Sequence, residues 1–227
     1  MSADAPPGSF LAGLDPDARG ELLARGAARR YRTGMILFRE GERSDHVVLL
    51  RSGRVKVSSY TPAGGEVVLA LRGPGDILGE YSALDRRPRS ATVTAVEPTE
   101  GHVIPGPAFS DYLDQQPTIA TELLRGVLSQ LRDSDRKRIE FGALDAAGRL
   151  ASRLLELGAR YGSVGERGLE ISLPLTQEEL AAWIGASREA VAKALRTLRD
   201  QGVIETGRKH VTILDLDALR RRLSDLP

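Results

Sequence analysis

The hydrophobic pattern of this 227-residue chain changes period near residue 118, which rules out both an all-helix and an all-strand fold. Ahead of that point lie short aliphatic runs: Met35-Ile36-Leu37-Phe38, Val47-Val48-Leu49-Leu50, Val55-Lys56-Val57, Val67-Val68-Leu69-Ala70-Leu71 and Ala91-Thr92-Val93-Thr94-Ala95-Val96. Gly34, Gly41, Gly53, the pair Gly64-Gly65 and the turn Gly73-Pro74-Gly75-Asp76 separate them, as turns separate the strands of a small antiparallel barrel or roll. A short helix carrying Leu22 and Leu23 is expected before the strands, with Asp15 as its N-cap and Pro16 at its first position.

Residues 118–141 hold no proline and a single glycine, Gly126. Ala120, Leu123, Leu124, Val127, Leu128 and Leu131 recur there at steps of three and four, which predicts one long helix with an apolar seam along its first half. We read that seam as a dimer interface. It turns polar at Ser134, Asp135 and Arg138, either because something contacts it or because the helix is solvated beyond the barrel. From about Asp145 the chain reads as helical. It then ends in a hairpin, residues 203–206 and 210–214, around a three-residue turn Gly207-Arg208-Lys209. The expected division is therefore 1–117, 118–144 and 145–227.

Composition excludes several classes of function. Charged residues at 28% and hydrophobic residues at 41% are ordinary globular usage. With no cysteine there can be no disulfide, thiolate nucleophile, thiolate-bound zinc or cysteine-ligated iron–sulfur cluster. His46, His102 and His210 are scattered, so neither a metal site nor a metal-dependent barrel enzyme is expected, and no nucleophile–base pair points to catalysis. No apolar run approaches the roughly 18 residues of a membrane span. The opening MSADAPPGSF lacks the basic start and apolar stretch of a secretory signal, so a cytoplasmic protein is expected.

The net charge of +1, from 32 Lys and Arg against 31 Asp and Glu, argues on average against a polyanionic partner. Locally the balance differs. Between Gly185 and His210 the basic residues Arg188, Lys193, Arg196, Arg199, Arg208 and Lys209 outnumber the acidic Glu189, Asp200 and Glu205, the footprint of a phosphate-contacting surface. Thr176 with Glu179 forms a capping box ahead of an apolar run, and Gly185 ends the helix it starts. Ser187 caps a second helix with Val191, Leu195 and Leu198 on its apolar side. Helix, short glycine turn, helix is the helix-turn-helix arrangement, whose second helix presents Arg188, Glu189 and Lys193 first to a major groove. An arginine fork matches guanine O6 and N7, and a carboxylate accepts from cytosine N4. Glu189 also favours the helix dipole at that position, and Trp183 reads as core.

The stretch LTQEELAAWIGASREAVAKALRTLRDQGVIE closely resembles the winged helix-turn-helix of the cyclic-AMP receptor protein and fumarate-nitrate regulator (CRP/FNR) family. A second motif, Gly73-Pro74-Gly75-Asp76-Ile77-Leu78-Gly79-Glu80 with Arg89-Ser90-Ala91 following, is similar to that family's phosphate-binding cassette. The resemblance implies an α+β fold: an N-terminal cyclic-nucleotide-binding β-roll, a long dimerisation helix and a C-terminal winged helix-turn-helix. It implies Gly79, Glu80, Tyr81, Ser82, Arg89 and Ser90 as ligand residues, Glu80 accepting from a ribose hydroxyl and Arg89 neutralising the cyclic phosphate. Ser134 and Asp135 would meet the base, one subunit completing the other's pocket. On the DNA side it implies Thr176, Gln177, Ser187, Arg188, Glu189, Lys193 and Lys209.

The implied function is that of a homodimeric regulator on a near-palindromic double-stranded site, in contact with RNA polymerase. Its effector would be cyclic AMP or another cyclic nucleotide, with no required cofactor. The sequence departs from the family pattern at Tyr81, Gln130, Asp135, Ala190 and Lys193, and the pair Arg86-Arg87 adds cations beside Arg89. Two alternatives remain at this point: a relative with a degenerate pocket that binds DNA without a nucleotide, and a cyclic-nucleotide module that acts on a protein partner.

Overall fold

The computed structural model describes residues 6–223, so residues 1–5 and 224–227 of the expected outer segments lie outside the described residues. The chain forms two compact units that divide between Leu131 and Arg132, inside the long helix and not at either of its ends.

The first unit opens on a 3-10 turn and α1 (Pro16–Ala24), where Asp15 accepts from the Ala18 N–H at 2.8 Å and Pro16 occupies the first turn as expected. Eight strands follow: β1 (Ala27–Tyr31), β2 (Ile36–Phe38), β3 (His46–Ser52), β4 (Val55–Tyr60), β5 (Glu66–Arg72), β6 (Ile77–Leu78), β7 (Thr92–Ala95) and β8 (Thr99–Pro105). A short helix, α2 (Glu80–Asp85), connects β6 to β7, and α3 (Gly106–Gln115) follows β8. The strands form two four-stranded antiparallel sheets, ordered β1-β8-β3-β6 and β2-β7-β4-β5.

Strand β3 shows why the roll closes. Its side chains alternate, sending Val47 and Leu49 into one core cluster with Leu22, Ile104, Phe109 and Tyr112. Val48 and Leu50 enter the other, with Phe38, Val55, Leu78 and Val93. The Tyr112 hydroxyl donates to the Ala18 carbonyl at 2.7 Å and ties α3 to α1.

The long helix is α4 (Pro117–Ala143). Its seam needs correction. Ile119 and Leu123, with Ala120 beside them, pack into the core of the roll, Leu123 being only 4% exposed. Leu124, Leu128 and Leu131 remain exposed, at 57, 42 and 56%. Adjacent positions on a helix lie about 100° apart, so the apolar stripe serves two faces and not one. Ala120 and Leu123 therefore belong to the roll, and the free seam is the narrower run Leu124, Leu128, Leu131.

The second unit contains the end of α4, α5 (Ala146–Tyr161), β9 (Ser163–Gly165), β10 (Gly168–Ser172), α6 (Gln177–Ile184), α7 (Arg188–Asp200), β11 (Ile204–Gly207), β12 (His210–Ile213) and α8 (Leu216–Arg221). Its antiparallel sheet is ordered β11-β12-β10-β9. Two corrections apply here. The region after Asp145 is not helical up to the last hairpin, because β9 and β10 interrupt it. The turn of that last hairpin has two residues, Arg208 and Lys209, since Gly207 pairs with His210 within the ladder. Lys209 adopts φ 60°, a left-handed conformation in which a side chain is strained.

A buried ionic network ties the end of α4 to α5. Arg153 is 3% exposed and bonds Glu140, itself 4% exposed. It also bonds Glu156 at 2.7 Å, while the Ser152 hydroxyl donates to the second Glu140 oxygen at 2.7 Å. Among the described residues no helix is long and apolar enough to cross a membrane.

Candidate functional site

The cassette of the first unit is built around a turn and a buried arginine. Gly73 N–H donates to the Asp76 carboxylate at 2.9 Å, and the Leu50 N–H and carbonyl clasp Asp76 and Gly75 at 2.9 and 2.8 Å. This fixes β6 against β3 and delivers Gly79 to its position. Gly79 has φ 81°, and a Cβ there would overlap the Arg89 guanidinium and sit 3.0 Å from the Phe38 ring. Only glycine fits, for conformation and for space.

Arg89 is 4% exposed although it lines the cavity beside Glu80. Its Nη1 donates to the Gly79 carbonyl at 2.8 Å, Nη2 to the His46 carbonyl at 2.5 Å and Nε to the Ser44 hydroxyl at 2.6 Å. The guanidinium lies over the Phe38 ring at 3.8 Å. Three of its five N–H groups are thus engaged, and one remains on each Nη. Burial lowers its proton affinity, an effect that Glu80 and Asp45 oppose.

Glu80, 5% exposed, makes no ion pair with Arg89 among the described residues. The direct pair that would have explained both residues without a ligand is not formed. Burial pushes the Glu80 carboxyl above the usual carboxylate range. Its own backbone N–H, then Arg72, a hydrogen bond with Gln130 and Arg89 pull the other way. Gln130 also accepts from the Tyr81 hydroxyl at 3.0 Å. Two of the departures from the family pattern, Tyr81 and Gln130, are therefore partners.

Gly79, Glu80, Tyr81, Ser82, Arg89 and Ser90 all line one cavity, with Phe38, Arg72 and Gln130 on its wall. Its volume is about 80 Å³, well below the ~300 Å³ at which small-molecule sites begin. Ser134 and Asp135 belong to the other unit, both exposed, with Asp135 3.9 Å from Arg138. Sequence reasoning missed Phe38, Ser44 and His46 as partners of Arg89. Each lies more than 40 residues away along the chain, and no local pattern marks them. Among the described residues, no group of three or more His, Cys, Asp or Glu could hold a metal ion.

In the second unit the capping box is complete. Thr176 Oγ accepts from the Glu179 N–H at 3.1 Å, and the Glu179 carboxylate accepts from the Thr176 N–H at 2.9 Å. Gly185 ends α6 in the left-handed conformation, with the Phe141 ring where a Cβ would stand. Arg149 holds this corner together, donating to the carbonyls of Leu144 at 2.5 Å, Ile184 at 2.7 Å and Gly185 at 3.3 Å. Ser187 accepts from the Ala190 N–H at 3.2 Å and starts α7.

Val191, Ala194, Leu195 and Leu198 turn α7 inward, with Trp183 buried behind them. Arg188, Glu189, Lys193 and Arg196 stand exposed on the other side. The backbone N–H of the helix start and the Ser187 hydroxyl hold the Glu189 carboxyl below its usual range. Thr176, Gln177, Ser187 and Lys209 are exposed as well. Arg199 bonds Thr206 at 2.9 Å and fastens the last hairpin to the end of α7. Arg196 is a further cation on this face, visible in the charge count and not among the residues that the resemblance implies for DNA.

Known proteins with these features agree with one another. Residues 28–116 match the family described as "Cyclic nucleotide-binding domain", and residues 148–222 match "Crp-like helix-turn-helix domain". A "CRP-like cAMP-activated global transcriptional regulator" of Mycobacterium tuberculosis is 33% identical over 210 residues, covering 92% of this chain and 94% of its own length. A "Cyclic AMP receptor protein" of Thermus thermophilus is 32% identical over 195 residues, covering 86% and 87%. The structure of FixK2 from Bradyrhizobium japonicum has the same fold, with a TM-score of 0.78 at 21% identity over 86% of this chain and 96% of that one. A β-roll with a glycine-glutamate-arginine cassette, a long helix and a winged helix-turn-helix thus occur in one chain alongside relatives over nearly its whole length, and the chain belongs to the CRP/FNR family of DNA-binding transcription regulators.

Proposed function

We propose that this regulator acts as a homodimer and that a cyclic nucleotide, cyclic AMP first, controls it from the Glu80–Arg89 cavity. The observation that carries this reading is Arg89: a buried cation with two unused N–H groups, at the wall of a cavity that also holds a buried carboxylate. A cyclic phosphate suits the two donors, Ser90 lies beside them, and Glu80 accepts from the ribose. The names of the Mycobacterium and Thermus relatives support cyclic AMP over other nucleotides. Entry requires the Tyr81–Gln130 hydrogen bond to open, because a nucleotide does not fit the space as it stands. In the dimer, Ser134 and Asp135 of one subunit would face the base held by the other. The ligand would act by binding the DNA-competent arrangement more tightly than its alternative.

The small cavity also favours a second reading, in which the pocket stays shut and DNA binding needs no nucleotide. Calorimetric titration of the whole protein with cyclic AMP and cyclic GMP separates the two. We expect saturable cyclic AMP binding; no heat with either nucleotide selects the second reading.

Dimerisation through Leu124, Leu128 and Leu131 carries its own test. Burying a leucine contributes about 1.5–3 kcal/mol, so Leu128→Lys should weaken self-association by about tenfold or more in sedimentation equilibrium. An unchanged dimer would move the interface elsewhere. On DNA, the proposed base contacts are Arg188, Glu189 and Lys193, with Thr176, Gln177, Ser187 and Lys209 on the phosphates. Arg188→Ala should cost about 1–3 kcal/mol at the guanine it reads and relax selection there. Uniform weakening on all sequences in a binding-site selection would reassign it to a phosphate. RNA polymerase is the proposed further partner.

A further inference from the structure

A second cleft, of about 620 Å³, opens on the first unit. This is within the ~300–1,000 Å³ range of small-molecule sites, whereas the cassette cavity is not. Three arginines line it: Arg43 from the loop before β3, and Arg86 and Arg87 from the end of α2. Among the described residues neither Arg43 nor Arg86 has an ion-pair or side-chain hydrogen-bond partner, and Arg87 has only a 4.0 Å approach to Asp85. All three are exposed, so the concavity carries a local positive potential that attracts anions.

Ala83, Leu84, Gly106 and Pro107 form an apolar part of the lining, and its remaining polar groups are of two kinds. Ser44, Ser82 and Ser110 contribute hydroxyls, and Asp45 and Asp111 contribute carboxylates. Three cations against two carboxylates would not concentrate a simple anion strongly. They suit a molecule that carries both a phosphate for the guanidinium groups and hydroxyls for the carboxylates to accept from. Arg86 adds a backbone observation. It has φ 58° at the end of α2, where an asparagine or glycine is the usual occupant, yet the position is filled by a cation on the wall of the cleft.

From this we infer that the cleft between the Arg43–Asp45 loop, α2 and the start of α3 is a binding site for a small phosphorylated polyol of the sugar-phosphate class, distinct from the cassette cavity. Ser82 lines both spaces, and Ser44 lines the cleft while accepting from Arg89 Nε. The two sites therefore share a wall, and occupancy of the cleft acts on the cassette arginine through Ser44. The inference does not depend on which nucleotide, if any, the cassette takes.

The test is calorimetry on the whole protein with ribose 5-phosphate, glucose 6-phosphate, unphosphorylated ribose and inorganic phosphate. We expect one of the sugar phosphates to bind, inorganic phosphate to bind more weakly and ribose not at all. The double variant Arg43→Ala/Arg87→Ala should weaken binding at least about tenfold, the loss expected for charge-assisted hydrogen bonds. Arg86→Gly gives the arm that keeps the fold. Its thermal midpoint should match or exceed that of the unaltered protein, because φ 58° suits glycine, while its affinity falls. Binding of neither sugar phosphate, or undiminished binding by both variants, would each overturn the site. Inorganic phosphate binding as tightly as the sugar phosphates would overturn the polyol assignment.

Discussion

Replacing Arg153 by methionine is expected to destabilise the second unit by about 3–5 kcal/mol, the cost of leaving a buried charge without its partner. Glu140 is the charge left behind. It lies in the last turns of α4, 4% exposed, and Arg153 is its direct buried partner. Ser152 still donates to it and Arg136 stands 3.6 Å away, so the loss should fall toward the lower end of that range. Methionine retains much of the packing volume, which isolates the charge effect. Adding Glu140→Leu to Arg153→Met should recover a large part of the loss, since a buried ion pair replaced by apolar groups of similar size is often neutral. Trp183 is the chain's single tryptophan, belongs to this unit and has the Arg153 guanidinium 5.9 Å from its ring. Its fluorescence during urea unfolding therefore reads this unit alone. A single variant within 1 kcal/mol of the unaltered protein, as is about typical of surface sites, would mean that the network is not a structural tie.

The second large effect falls on Arg89. Arg89→Ala should weaken cyclic AMP binding by about 2–5 kcal/mol, roughly 30-fold to several thousand-fold, as for other truncated partners of buried charges. Part of any loss could come from the roll itself, because alanine leaves the Gly79 and His46 carbonyls without donors and uncovers the Phe38 ring. Arg89→Gln separates the two causes. It can still donate to a carbonyl but carries no charge, so the fold should survive while affinity stays low. Full affinity in Arg89→Gln would show that the site does not depend on charge at this residue, and the phosphate assignment would fail.

The features that could be read from the sequence share a physical property: they are local. The Thr176–Glu179 box, the left-handed Gly185 and the Ser187 cap each involve residues three apart or fewer, and the structure holds each as its residue types imply. Strand β3 was readable because its aliphatic run feeds two cores on opposite faces. By contrast β1 presents Arg29 and Arg30 to solvent, and β9 presents Val164, so neither carries the pattern of a buried strand. The seam of α4 misled because periodicity tells which residues share a stripe and not which surface meets it. Leu123 and Leu124 are neighbours in sequence and lie on different faces.

At the cassette, the residue types of Gly79, Glu80 and Arg89 followed from the motif. The small size of the cavity did not, because its wall carries a Tyr81–Gln130 contact across 49 positions and Arg89 is held by Ser44 and His46 from another strand and loop. The buried Glu140–Arg153 pair was hidden for a different reason. Both residues look like ordinary solvated charges until α4 and α5 are packed together.

In the proposed function, a nucleotide at Glu80 and Arg89 controls DNA binding through α7. The most direct measurement is the affinity of the full-length protein for a near-palindromic duplex, titrated at fixed salt with and without saturating cyclic AMP. Binding should be at least about fivefold tighter with the nucleotide, the lower end of ordinary allosteric coupling. Equal affinity in its presence and absence, with the nucleotide shown to be bound, would contradict it.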